Sequence, residues 1–146
     1  MTGLADIVGT FELLVDWDTR YQYMVELGEQ FPPMPEHERV EANRVKACMS
    51  RVWVYAREDM AEPGKIRFGG DCDTGIIKCV LALLIKLADG KTVAEIGDID
   101  MDEVFEQLQL GEHLSPNRHV GVYAIVDLMK QQAAAVGVHL DHAASA

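Results

Sequence analysis

Residues 76–88 constrain this chain more than any other stretch. Ile76, Ile77, Val80, Leu83, Leu84 and Leu87 recur at the spacing of one helical face. Leu81 and Ile85 add apolar side chains elsewhere, so the segment is apolar nearly all round. A helix of that kind has no face to offer water and must lie at the centre of a fold. A chain of 146 residues can bury such a helix within one self-sufficient core. The expectation is a single domain over 1–146, with its core over about 3–137.

The remaining elements follow from periodicity and punctuation. Residues 3–15 read as an amphipathic helix carrying Leu4, Ile7, Val8, Phe11, Leu14 and Val15. Asp16 or Asp18 can cap a second helix that runs to about Glu29. Pro32, Pro33 and Pro35 then forbid helix. The charged, aperiodic segment from Glu36 to Lys46 reads as a long surface loop, a common home for function. Residues 51–57 alternate, with Val52, Val54 and Ala56 on one side and Trp53 and Tyr55 on the other. After the turn at Glu62-Pro63-Gly64-Lys65, Ile66 and Phe68 continue as a second strand that ends at Gly69-Gly70. The polar stretch before residue 48 is a candidate third strand.

Gly90 ends the central helix. Thr92 with Glu95 forms a capping-box pattern, and Asp100 can cap a helix over 101–109. Ser115-Pro116 opens a last helix that runs to about Val136, with Gly137 after it and a frayed tail over 138–146. The class is α+β, a small antiparallel sheet of about three strands packed against several helices.

Charge removes whole classes of function. A net charge of −11 argues against nucleic-acid binding, which needs a basic surface. It also disfavours an anionic membrane, and it suits a partner with a basic patch. The longest apolar run, Val80 to Ile85, is far short of the ~20 residues that span a bilayer. The first residues lack a basic stretch followed by an apolar one, so the expected location is the cytoplasm.

Three cysteines, Cys48, Cys72 and Cys79, make a poor disulfide framework. Their spacings fit no standard metal or cluster motif. Cys48 stands out because it falls where the charged segment meets the first strand, at the mouth of a rigid element. Arg44, Lys46 and Arg51 are close in sequence, and cations favour the reactive thiolate. The plain alternative is a small buried hydrophobe.

Several separated motifs, in order, resemble the SufE family of sulfur acceptors. They are Trp17, Tyr21, Tyr23 and Glu26-Leu27-Gly28; Asn43, Val45, Cys48, Ser50, Val52 and Trp53; Gly70-Asp71, Asp73, Ile76 and Lys78; and His113-Leu114-Ser115-Pro116 with Arg118 and Gly121. The resemblance spans about residues 10–135. It implies a SufE-like fold and a non-enzymatic accessory role. Cys48 would accept persulfide sulfur from a cysteine desulfurase of the SufS/CsdA type and relay it toward iron–sulfur cluster assembly on a downstream scaffold. The pyridoxal phosphate belongs to the desulfurase, and no cofactor is implied for this chain. Lys46, Ser50, Arg51, Asp71, Asp73, His113 and Arg118 are the implied loop and partner-contact residues. Family members are similar in sheltering the cysteine at rest, for which Val52, Val54, Phe68 and the central helix offer an apolar pocket. One departure is Ala47, where the family usually has glycine.

Two other classes compete. A stand-alone cysteine-dependent thiol enzyme would need a base, and His113 is the one plausible candidate. An interaction adaptor would make Cys48 incidental. Cys79 reads as core and Cys72 as a thiol near a helix start. Asp71 and Asp73 read as helix caps or as pins for the Cys48 loop. Arg118 sits in a first helical turn, unfavourable for a cation, and so calls for a specific partner. Trp17, Tyr21 and Trp53 read as core.

Overall fold

The computed structural model describes residues 4–14, 16–30, 34–46, 51–73, 75–108 and 116–145. Two helices come first, α1 (Leu4–Leu13) and α2 (Trp17–Glu29). Asp16 caps α2 by accepting a hydrogen bond from the Thr19 N–H at 2.8 Å. A lead-in segment, 34–46, carries two short 3-10 turns at Glu36–Glu38 and Glu41–Asn43. Strands β1 (Val52–Glu58) and β2 (Lys65–Cys72) form an antiparallel hairpin. Then follow α3 (Gly75–Ala88), β3 (Lys91–Thr92), α4 (Val93–Gly97), α5 (Met101–Leu108) and α6 (Pro116–Ser145).

The sheet order is β1-β2-β3, antiparallel throughout. The third strand is thus the two-residue β3, and the lead-in segment adds to the sheet through a single bridge, Arg44 opposite Trp53. Pairing of the lead-in beyond that bridge is prevented by its 3-10 turns, which satisfy their own backbone groups: Arg39 N–H donates to Glu36 O and Arg44 N–H to Glu41 O.

Helix α3 is the hub, as its composition requires. Ile77, Val80, Leu81, Leu83, Leu84, Ile85 and Leu87 are all buried. It packs on β2 and α2, while α6 lies across β1 and α4. Gly90, with φ of 76°, ends the turn after α3. The capping box at Thr92 and Glu95 is fully formed. Asp100 accepts from the Asp102 N–H at the start of α5.

Helix α6 overruns its expected end. It continues through Gly137 to Ser145 rather than fraying after Val136. Gly137 serves packing here, since a Cβ at that position would lie 3.0 Å from Val93 Cγ2 on α4. No helix among the described residues is long and apolar enough to cross a membrane.

Candidate functional site

The site is organised around the junction between the lead-in segment and β1. The Val45 N–H donates to Val52 O at 2.9 Å. On the far side, the Arg51 N–H donates to Asp73 Oδ1 at 3.0 Å, and the Asp73 N–H donates back to Arg51 O at 3.2 Å. The described residues on either side of 47–50 are therefore both tied down, Val45 before it and Arg51 after it, and that stretch is the connection between lead-in and β1. Cys48, Ala47 and Ser50 lie within it and outside the described residues, as do His113 and the Arg118 side chain. What the structure fixes is the frame on which they are carried.

Val52 and Val54 are fully buried, and Phe68 is buried beside them with α3 behind. These are the residues expected to make an apolar floor. Cys72, the Cα partner of Val52, is buried at the end of β2, three residues before α3 begins. Cys79 is buried on α3, and that burial pushes its thiol pKa up, with Lys78 opposing. It lines a cleft with Tyr21, Val25, Gly28, Glu29 and Lys78. Tyr21 is exposed at that cleft, so it is not the core residue its pattern suggested. Trp17 is half-buried against the core, and Trp53 is half-buried at the site.

Asp71 is not a helix cap. It stands on β2 and joins three partners: Arg39 at 2.6 Å, Lys78 at 3.6 Å and the Cys72 N–H at 2.8 Å. The Arg39 guanidinium also lies over the Trp53 ring, 5.0 Å from its centroid. Burial raises the Asp71 pKa, but Arg39, the Cys72 N–H and Lys78 together outweigh it, and the net shift is downward. One carboxylate thus fastens the lead-in segment to the sheet. Sequence reading missed Arg39, because nothing local marks a pair 32 residues apart.

The cations expected around Cys48 are partly committed elsewhere. Lys46 pairs with Glu41 at 2.7 Å within the lead-in segment, and that pairing lowers the Glu41 pKa. Arg51 is exposed and Asp73 is exposed, and their contact is through the Arg51 backbone. Asp73 is thus tied to the residue that precedes β1.

The Asp71 pKa gives a test. A depressed carboxylate stabilises the fold fully above its unfolded value near ~3.9 and loses that contribution as pH falls through the folded value. Asp71→Ala is expected to lower stability by about 2 kcal/mol at neutral pH. The gap from wild type should narrow as pH drops below ~4. Urea unfolding at several pH values measures both, and a gap independent of pH refutes the assignment.

The match to known proteins agrees with this geometry. Residues 5–133 match the SufE family, described as an Fe-S metabolism associated domain. The chain belongs to the SufE family. It is 36% identical over 135 residues to an uncharacterized SufE-like protein of Rhizobium meliloti, covering 91% of this chain and 96% of that one. A second uncharacterized SufE-like protein, from Rhizobium etli, is 33% identical over 134 residues, with 91% and 90% covered. The fold is shared with the solution structure of a hypothetical protein from Thermus thermophilus, with a TM-score of 0.76 at 21% identity, over 92% of this chain and 96% of that chain. Membership associates the chain with Fe–S metabolism.

Proposed function

We propose that this chain is a sulfur acceptor and activator for a cysteine desulfurase of the SufS/CsdA type, working in the cytoplasm as a single SufE-like domain. Cys48 is the acceptor. The desulfurase, with its own pyridoxal phosphate, takes sulfur from free cysteine and holds it as a persulfide. The Cys48 thiolate attacks the terminal sulfur of that persulfide. A sulfur–sulfur bond forms on Cys48 as the donor's bond breaks, and the donor cysteine leaves as a thiolate. Electrons balance without an external oxidant. The persulfide then passes to an iron–sulfur scaffold, and the desulfurase is free for another cycle.

The observation that supports this reading is that both flanks of 47–50 are tied to the sheet, Val45 through Val52 and Arg51 through Asp73, in a chain of the SufE family. Val52, Val54 and Phe68 supply the apolar surroundings that would slow loss of the persulfide to small thiols. Asp73 and Arg51 hold one end, and Arg39 with Asp71 holds the approach. Lys46, Ser50, His113 and Arg118 are proposed to face the desulfurase.

The test is intact-protein mass spectrometry after mixing the chain with a cysteine desulfurase and free cysteine, without reductant. The expected result is a gain of one or more sulfur atoms that maps to Cys48. No gain with several desulfurases, while Cys48 still reacts with alkylating reagents, overturns the reading and favours a stand-alone thiol enzyme.

A further inference from the structure

The outer edge of β1 is finished by a side chain. Val52 O accepts from the Val45 N–H. The next carbonyl on that edge, Val54 O, accepts from Gln132 Nε2 on α6 at 2.7 Å. The same Nε2 reaches Asn43 Oδ1 at 3.3 Å. Asn43 in turn donates through Nδ2 to Glu38 O and Glu38 Oε2, both at 2.9 Å. Both amide orientations are forced. Val54 O can only accept, so Gln132 must present its nitrogen there, and the two Glu38 oxygens require the Asn43 nitrogen. The outcome is a one-way chain of donors, from α6 to the sheet edge and to the lead-in segment.

One atom is left over. Gln132 Oε1 is buried and finds no hydrogen-bond partner among the described residues. An unsatisfied buried acceptor is unfavourable, and it would be relieved by water if the amide came free. The clasp therefore holds its partners through the amide nitrogen alone. A fully satisfied amide would grip harder, and an apolar side chain would not grip at all.

We propose that Gln132 is a positioning residue for Cys48: it clasps Asn43 to β1 and so sets how readily the segment leading into the cysteine can lift from the sheet. Asn43 is two residues before Val45, whose bond closes the cysteine connection. Freeing Asn43 removes one of several restraints on the approach, beside that closure, the Arg44–Trp53 bridge and the Arg39 contacts with Asp71 and Trp53. The proposal rests on Cys48 being the working thiol, but its first measurements need no desulfurase.

Gln132→Met keeps length and removes both donors. The expected result is an increase of at least about threefold in the alkylation rate of Cys48, followed by peptide mass mapping, and faster hydrogen exchange over 38–45 at a thermal midpoint close to wild type. Asn43→Ala should also raise the rate, and the double variant should fall short of the product of the two single effects, because the Gln132–Asn43 bond is lost in both. Gln132→Glu separates clasp from packing. As a carboxylate it has no donor and should behave like Gln132→Met, whereas protonation at lower pH restores one donor and should bring its rate back toward wild type measured at the same pH. Unchanged Cys48 reactivity and exchange in folded Gln132→Met, or additive effects in the double variant, overturn the proposal. If wild type gains no sulfur from a desulfurase, the sulfur-acceptor reading fails while the alkylation and exchange results still decide the clasp.

Discussion

Cys48→Ser is expected to abolish sulfur acceptance and desulfurase activation completely, while docking to the desulfurase survives. A hydroxyl is close in size to a thiol but does not ionise at neutral pH, and it cannot form a stable sulfur–sulfur bond. The informative controls are the other two cysteines. Cys72 and Cys79 are buried, 6% and 5% exposed, so Cys72→Ser and Cys79→Ser each place a hydroxyl in an apolar site. Each is expected to lower stability by about 1–3 kcal/mol and to leave sulfur acceptance intact. Activation assays together with urea unfolding of all three variants give opposite signatures for acceptor and core. A Cys48→Ser protein that still activates would make the chain a docking adaptor. Loss of sulfur acceptance in stably folded Cys72→Ser would make the buried thiol part of the relay.

Gly70→Ala is expected to be the most damaging single-methyl change in the sheet, at roughly 3 kcal/mol, with loss of sulfur acceptance. A Cβ on Gly70 would collide with the Trp53 carbonyl oxygen and press on Leu81 Cδ2 at 3.4 Å. The decisive obstacle is backbone, which cannot step aside, and the buried Leu81 methyl is already in van der Waals contact. The strands must separate at the Val54–Gly70 pair, next to the Trp53–Asp71 pair and two along from Val52 opposite Cys72. Gly69→Ala is the control. There the added methyl meets the outer ring atoms of Tyr55, which can swing, and about 1 kcal/mol is expected. Thermal midpoints and sulfur acceptance measured together decide it; equal losses in the two variants contradict the assignment.

Local rules carried the fold well. The all-round apolar pattern of 76–88 gave the hub, Asp16 and Thr92 gave two helix starts, and alternation over 51–57 gave β1. The failures share a cause, which is distance along the chain. Gly137 reads as a stop by local chemistry, yet it is set by Val93, far back in the sequence. The alanine run Ala133–Ala135 just before it favours helix and helps carry α6 on. The lead-in segment looks structureless because its order comes from Asp71, Trp53 and Gln132, none of them nearby. Of the expected site residues, Asp73 could be read as a loop pin from position alone. Asp71 was misassigned because a helix follows it, although β2 extends through Cys72. Arg39 and Gln132 carried no pattern of their own.

The bond between Val45 and Val52 also sets a length. Cys48 is three Cα steps from Val45, and each step spans at most about 3.6 Å, so its backbone can stand no more than roughly 11 Å from that anchor. Swinging-arm carriers ferry cargo across tens of ångströms between distant centres; a thiol tethered this close to its anchor has no such reach. Under the proposed role, and while the closure holds, Cys48 receives sulfur only when the donor comes to the end of the sheet itself. That role then requires the two proteins to meet surface to surface, one encounter for each sulfur delivered, so that throughput scales with how often they collide in the right orientation.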